Sequence, residues 1–181
     1  MNARPIDSVD RRIIRLPAVL AFGSNLGDRE ATILSALDDL RATDGIEIVA
    51  VSRLYETTAV KPDGIDADAP AYLNAVALIR TSLHPEELLG VVNHIEHEHG
   101  RVRTERWGDR TLDVDIVTFA SVVRDTKRLT LPHPRAAERD FVLVPWLEIE
   151  PNAVLPGRGR VDQLLRSIPQ TTLRPYAGET R

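Results

Sequence analysis

The stretch Leu112-Asp113-Val114-Asp115-Ile116 alternates apolar and acidic residues with a period of two. In an extended chain, Asp113 and Asp115 leave one face while Leu112, Val114 and Ile116 leave the other. Such a strand belongs in a sheet with one packed face and one charged face. Successive same-face positions lie roughly 6 to 7 Å apart, a span that one hard cation, or two bridged by substrate oxygens, closes with carboxylates. The same pattern equally suits a solvated strand face paired to Arg103 or Arg110.

Around this strand the chain reads as a single α+β unit. A first strand is predicted over 13–22, followed by the turn Gly23-Ser24-Asn25-Leu26-Gly27-Asp28. A helix capped by Asp28 follows over 29–42, with Ile33, Leu37 and Leu40 at helical spacing. Gly45 stops it, and alternation over 46–54 predicts a second strand. Residues 57–70 read as a long binding loop, 72–79 as a strand, and 85–99 as a helix opened by Pro85 and closed by Gly100. Strand 111–119 is followed by a turn at Pro132-His133-Pro134, a short helix or turn near 136–139, and a segment 141–149 readable as helix or strand. A short helix is expected over 161–168. The order strand, helix, strand, strand, helix, strand resembles a ferredoxin-like fold, an antiparallel sheet with helices on one face and ligand loops on the other. The expected boundaries are a polar extension over 1–17, one domain over 18–170, and a tail over 171–181.

Composition narrows the function classes. At 181 residues and 43% apolar content the chain is long enough for a substantial core. With 23 basic and 27 acidic residues, the formal charge of −4 gives no overall basic field for nucleic acid or anionic lipid. No apolar run reaches the ~20 residues of a membrane span. The absence of cysteine and of a signal-like start agrees with a cytoplasmic protein, expected to be a monomer.

The other candidate residues point to phosphate and to a flat polar ring. Arg101, Arg103, Arg106 and Arg110, with Trp107 among them, form a basic run beside the acidic strand. Guanidinium groups match phosphate oxygens, although a run like this also serves as a solvated loop with surface ion pairs. Tyr72 and Asn74 share a strand face, an aromatic plane beside an amide with both donor and acceptor. Phe141 is a second candidate wall or a core residue. Glu96 adjoins the packed helix stripe and reads as a loop fastener, a ligand for an amine, or a helix-surface ion pair. His133, between two prolines, suits either a phosphate contact or a backbone hydrogen bond. His94, His97 and His99 do not converge as a zinc set, and no cysteine completes one. Neither a Walker A sequence nor a Gly-x-Ser-x-Gly elbow is present.

The continuous stretch from Arg106-Trp107-Gly108-Asp109-Arg110 through Asp113-Val114-Asp115-Ile116 closely resembles the 6-hydroxymethyl-7,8-dihydropterin pyrophosphokinase family. Supporting matches are Phe22-Gly23-Ser24-Asn25-Leu26-Gly27, Tyr55, Tyr72-Leu73-Asn74-Ala75, Ile95-Glu96, Gly100-Arg101-Val102-Arg103, Leu131-Pro132-His133, and Arg139 with Phe141. The resemblance implies transfer of pyrophosphate from ATP to the hydroxymethylpterin, with two Mg2+ ions held by Asp113 and Asp115. It further implies a pterin sandwich by Tyr72 and Phe141, an amide contact from Asn74, and help from the backbone between Thr57 and Val60. Arg101 and Arg110 correspond to catalytic phosphate-binding arginines and Arg103 to a mobile-loop arginine. His133, Trp107 and Arg139 fall on the nucleotide side, and Glu96 corresponds to a nucleotide-side or loop-supporting residue. No nucleic acid or membrane partner is implied.

This chain departs from the family in carrying Thr58-Ala59-Val60 where Pro-Pro-Leu is common, Pro134 after the histidine, and a long 61–71 segment. From the residues alone, a magnesium-dependent nucleotide phosphohydrolase and a binding module without turnover stand as alternatives.

Overall fold

The computed structural model describes residues 14–61, 64–66, 70–100, 111–169 and 172–178. In chain order they form β1 (Leu16–Ser24), α1 (Arg29–Ala42), β2 (Ile46–Val51), β3 (Tyr55–Thr57), β4 (Ala59–Lys61), β5 (Gly64–Asp66), β6 (Tyr72–Thr81), α2 (Pro85–Glu98) and β7 (Asp113–Phe119). Then come β8 (Arg124–Asp125), β9 (Thr130–Leu131), a 3-10 turn (Ala136–Glu138), α3 (Asp140–Ile149), β10 (Val154–Leu155), β11 (Gly159–Arg160), α4 (Val161–Ser167) and β12 (Arg174–Pro175).

Local chemistry sets the helix starts. The Asp28 carboxylate accepts from the Ala31 N–H at 3.0 Å, satisfying an orphan donor of the first turn of α1. At α2, Pro85 occupies the first turn and the Glu87 carboxylate accepts from the His84 N–H at 2.7 Å. Gly100, at φ +78°, ends that helix.

The main sheet has six strands among the described residues, in the order β12-β3-β6-β1-β7, with β2 pairing the far half of β6. Its pairings are all antiparallel. On one face Leu20, Phe22, Leu73, Ile79, Val114 and Ile116 pack against Ile33, Leu37 and Leu40 of α1 and Leu88, Val92 and Ile95 of α2. On the other, Val19, Val76 and Val117 pack against Val142, Leu143 and Trp146 of α3, with Val161 of α4 in the same cluster. The α+β class with an antiparallel sheet is as expected from the sequence. Helices on a single face describes only α1 and α2; α3 and α4 cover part of the opposite face, because Val76 and Val117 continue the polar face with apolar residues that require burial.

Several boundaries differ from the sequence expectation. β1 runs on through Gly23 and Ser24, which pair with Asn74 and Leu73, instead of ending at Phe22. The strand expected over 46–54 breaks after Val51. There the Ser52 hydroxyl accepts from the Val76 N–H at 3.0 Å and the Ser52 N–H donates to the Val76 carbonyl at 2.9 Å, so β2 and β3 meet β6 separately. Within 57–70, expected as loop, Val60 pairs with Ile65 and Lys61 with Gly64 in a short hairpin. The Pro62-Asp63-Gly64 sequence is a turn signal between β-branched residues. The ambiguous segment 141–149 is helical despite Pro145 inside it. Paired residues of the sheet extend from Leu16 to Pro175. Among the described residues no helix is long and apolar enough to cross a membrane.

Gly45 joins α1 to β2 at φ +81°, and a Cβ there would lie 2.7 Å from the Ser82 hydroxyl oxygen. Left-handed backbone and close approach both demand glycine. Gly45→Ala should therefore lower the unfolding free energy by about 1–3 kcal/mol in urea titration, with an unchanged far-ultraviolet circular dichroism spectrum at low denaturant.

Candidate active site

The register of three strands builds the site. Gly23 of β1 lies opposite Asn74 of β6 on one side and Asp113 of β7 on the other, and Tyr55 of β3 lies opposite Asn74. Residues directly opposite in an antiparallel pair project to one face. Asp113, Gly23, Asn74 and Tyr55 thus form a row across four strands, with Asp115 and Tyr72 on the same face two residues along their own strands. Gly23 contributes no side chain, and a Cβ at that position would sit 3.6 Å from Asn74 Oδ1. The result is an open floor between an amide and a carboxylate. The sequence reading gave Gly23 no role in the candidate site, although a glycine at a strand end is a known sign of close approach.

On the amide side, Asn74 is buried and its Nδ2 donates to the Thr57 hydroxyl at 3.0 Å. Thr57, also buried, pairs in register with Tyr72. The backbone of Val60 lies in the hairpin beyond Thr57, paired with Ile65.

On the acid side, Asp113 and Asp115 are both half-buried. Arg139 Nη1 donates to Asp115 Oδ2 at 3.1 Å, and His133 Nε2 lies 3.5 Å from the same oxygen. His133 is fixed by its backbone N–H, which donates to the Val117 carbonyl at 2.9 Å. Its Nδ1 accepts from the Arg135 N–H at 3.2 Å, so the neutral ring carries its proton on Nε2, toward Asp115. Burial holds the His133 pKa below its usual value, the Asp115 carboxylate opposing that shift. The Arg139 guanidinium also stands over the Phe141 ring, 5.5 Å from its centroid. Phe141, in the first turn of α3, packs beside the cluster on this same face.

Glu96 comes from the opposite face. It is 3% exposed and its Oε1 accepts from the Val114 N–H at 2.8 Å, between the two aspartates. It therefore fastens the strand that carries them. Arg101, Arg103, Trp107 and Arg110 lie outside the described residues. Among the described residues no three His, Cys, Asp or Glu side chains converge as a metal cage.

Residues 19–151 match the sequence family described as 7,8-dihydro-6-hydroxymethylpterin-pyrophosphokinase (HPPK). The chain belongs to the HPPK family. It is 38% identical over 153 residues to a 2-amino-4-hydroxy-6-hydroxymethyldihydropteridine pyrophosphokinase of Haemophilus influenzae, covering 84% of this chain and 93% of that one. A protein of the same name from Methylorubrum extorquens is 44% identical over 140 residues, covering 77% and 86% of the two chains. Among solved structures, an HPPK-DHPS in complex with substrates aligns with a TM-score of 0.63 at 15% identity, over 84% of this chain and 43% of that one. The wild-type Plasmodium falciparum HPPK-DHPS with pteroate gives a TM-score of 0.63 at 15% identity, over 84% and 42%. The chain thus spans less than half the length of these solved proteins and shares the fold of their matching part. The paired aspartates, Tyr72, Asn74, His133 and Phe141 of this HPPK chain all fall on one face of the sheet.

His133 has a folded pKa below its unfolded value, so it contributes stability that is present above about pH 6.5 and is lost as pH falls through the folded pKa. Proton NMR titration should place its midpoint below 6.5. Asp115→Asn should lower the midpoint further, since it removes the carboxylate that favours the charged ring; an upward shift would contradict this electrostatic arrangement.

Proposed function

We propose that this protein transfers pyrophosphate from ATP to 6-hydroxymethyl-7,8-dihydropterin, giving AMP and the pterin pyrophosphate. The hydroxymethyl oxygen forms a bond to the β-phosphorus, the bond from that phosphorus to the oxygen bridging it to the α-phosphorus breaks, AMP leaves with the electron pair, and the hydroxyl proton is released. The observation that carries this reading is the row Asp113–Gly23–Asn74, which sets an acidic locus and an amide edge on either side of an open floor. The name and high coverage of the Haemophilus relative support the same reaction.

The donor chemistry fits magnesium. Two half-buried carboxylates on one strand face are hard oxygen ligands, and the ion ordinarily completes its shell with phosphate oxygens and water instead of a protein cage. Asp113 and Asp115 would hold the two ions, whose charge offsets that of the triphosphate. Arg139 orients the Asp115 carboxylate, and His133, whose Nε2 faces the same Asp115 oxygen, is assigned to a phosphate oxygen of the bound nucleotide. Arg101, Arg103, Arg110 and Trp107 are assigned to the nucleotide and its phosphates, where guanidinium groups stabilise charge spreading over the transferring group.

On the other side, Asn74 and the Thr57 to Val60 backbone are assigned to the hydrogen-bonding edge of the pterin. Tyr72 and Phe141 are assigned to its two faces. Holding both substrates in line lowers the barrier without a covalent intermediate. Glu96 acts through the backbone of β7, keeping the aspartates in register.

Incubation with ATP, Mg2+ and the reduced hydroxymethylpterin should yield AMP and pterin pyrophosphate in equal amounts on chromatography. ADP with a pterin monophosphate would overturn the reaction, as would ATP turnover that ignores the pterin. Asp115→Asn should reduce kcat by at least ~10²-fold while the thermal melt keeps a single cooperative transition.

Gly23→Ala tests the floor. The added methyl has ordinary contact distance to Asn74, so stability should hold or rise by up to about 1 kcal/mol. Calorimetric titration should nevertheless show about tenfold weaker pterin binding; unchanged affinity would place the ring elsewhere.

A further inference from the structure

Thr58 has a backbone N–H that must find a partner where the chain leaves the sheet. The partner comes from the end of the chain. Thr172 Oγ1 accepts from the Thr58 N–H at 3.0 Å and lies 2.7 Å from the Thr58 hydroxyl. Two residues on, β12 pairs with β3, Arg174 opposite Glu56 and Pro175 opposite Tyr55, and the Tyr176 N–H donates to the Leu54 carbonyl at 2.9 Å.

The side chains repeat the link. Arg174 grips Glu56 Oε2 through Nε at 3.1 Å and Nη2 at 2.5 Å. The other oxygen of Glu56 accepts from Arg29 Nη1 at 3.1 Å, and that same nitrogen donates to the Ala71 carbonyl at 2.7 Å. Hydrogen bonding from Arg174, seconded by Arg29, holds the Glu56 carboxyl below the usual range. One largely buried carboxylate therefore connects the C-terminal strand, the start of α1 and the residue before Tyr72. The hairpin of β4 and β5 leaves the sheet at Thr58 and the chain returns to it at Ala71, so both of its feet are tied.

We infer that the C-terminal segment is a positioning strap for the pterin edge of the site, with Thr172, Arg174 and Glu56 setting pterin affinity by fixing Thr57–Thr58 against Asn74. The coupling runs through one contact: Thr57 Oγ1 takes the Asn74 Nδ2–H and so directs Asn74 Oδ1 over Gly23. Displacing the Thr57–Thr58 backbone releases the amide from that orientation, and an edge contact misplaced by a fraction of an ångström loses affinity. The acid side has its own supports in Glu96, Arg139 and His133 and is left intact.

This inference rests on the assignment of Asn74 to the pterin edge, and steady-state kinetics on the full chain separates the two. Thr172→Val removes the acceptor and keeps the shape; Arg174→Gln removes the ionic grip at an exposed position. Each should raise the pterin KM about fivefold, with kcat and the ATP KM within about twofold of the parent, and Thr172→Ser should restore the parent value. Asn74→Ala should raise the pterin KM further. If Asn74→Ala raises it while both strap variants leave it unchanged, the strap falls and the site stands. Unchanged pterin KM in Asn74→Ala overturns both. Strap variants that weaken ATP and pterin together, or lower kcat alone, reduce the segment to general structural support and overturn the inference.

Discussion

Three adjacent strands change character at the same level, and only their register makes this a site. Along β6 the face reads Leu78 and Val76, then Asn74 and Tyr72; along β1 it reads Val19 and Ala21, then Gly23; along β7 it reads Val117, then Asp115 and Asp113. The apolar half is roofed by α3, and the polar half begins where the roof ends. A slip of one residue between β1 and β7 would turn both aspartates toward α1 and α2, into an apolar layer where unpaired carboxylates cost several kcal/mol. Packing of Val114 and Ile116 in that layer therefore fixes the acidic locus as firmly as any contact made by the aspartates themselves.

Arg139 joins the acidic strand to the start of α3 at this open end. It immediately precedes α3, donates to Asp115, and covers the ring of Phe141. Its position is inherited from the helix, which is anchored by Leu143 and Trp146 against Val76 and Val117. The far end of α3 is tied down as well: Glu148 accepts from Arg53 Nε at 2.7 Å and from the Tyr55 hydroxyl at 3.1 Å. Desolvation, aided by that carboxylate, raises the Tyr55 pKa, which keeps the phenol a neutral donor. A helix clamped at its end and middle presents its first turn with little freedom.

Much of this was legible in the sequence because its causes are local. Asp28, Pro85, Gly45 and Gly100 announce helix ends through their own backbone chemistry, and the alternation about Asp113 and Asp115 announces a strand face. The segment 141–149 was ambiguous because it is apolar on nearly every side and contains Pro145, so neither period dominates. The hairpin within 57–70 was hidden by its brevity despite the Pro62-Asp63-Gly64 signal. Gly23 and Glu96 were visible as residues but not as roles. The openness of the first depends on what lies opposite in two neighbouring strands, and the partner of the second is a backbone N–H 18 positions away. The strand at Arg174–Pro175 has no pattern of its own; it exists through partners 118 positions earlier in the chain.

The supports of the two halves come from different parts of the chain. At one edge of the sheet, β7 presents outward N–H groups, and Glu96 of α2 reaches across to accept one of them. Toward the other edge, β3 is short and gains its order from β12 and from Glu56, which gathers two arginines. Each is a mostly buried carboxylate whose desolvation is offset by directed hydrogen bonds, and each acts on backbone geometry. Between them, β1 and β6 pair continuously from Leu16 opposite Thr81 to Ser24 opposite Leu73. The acidic and amide loci are therefore held from opposite sides, and within the sheet Gly23 stands between them with no side chain of its own.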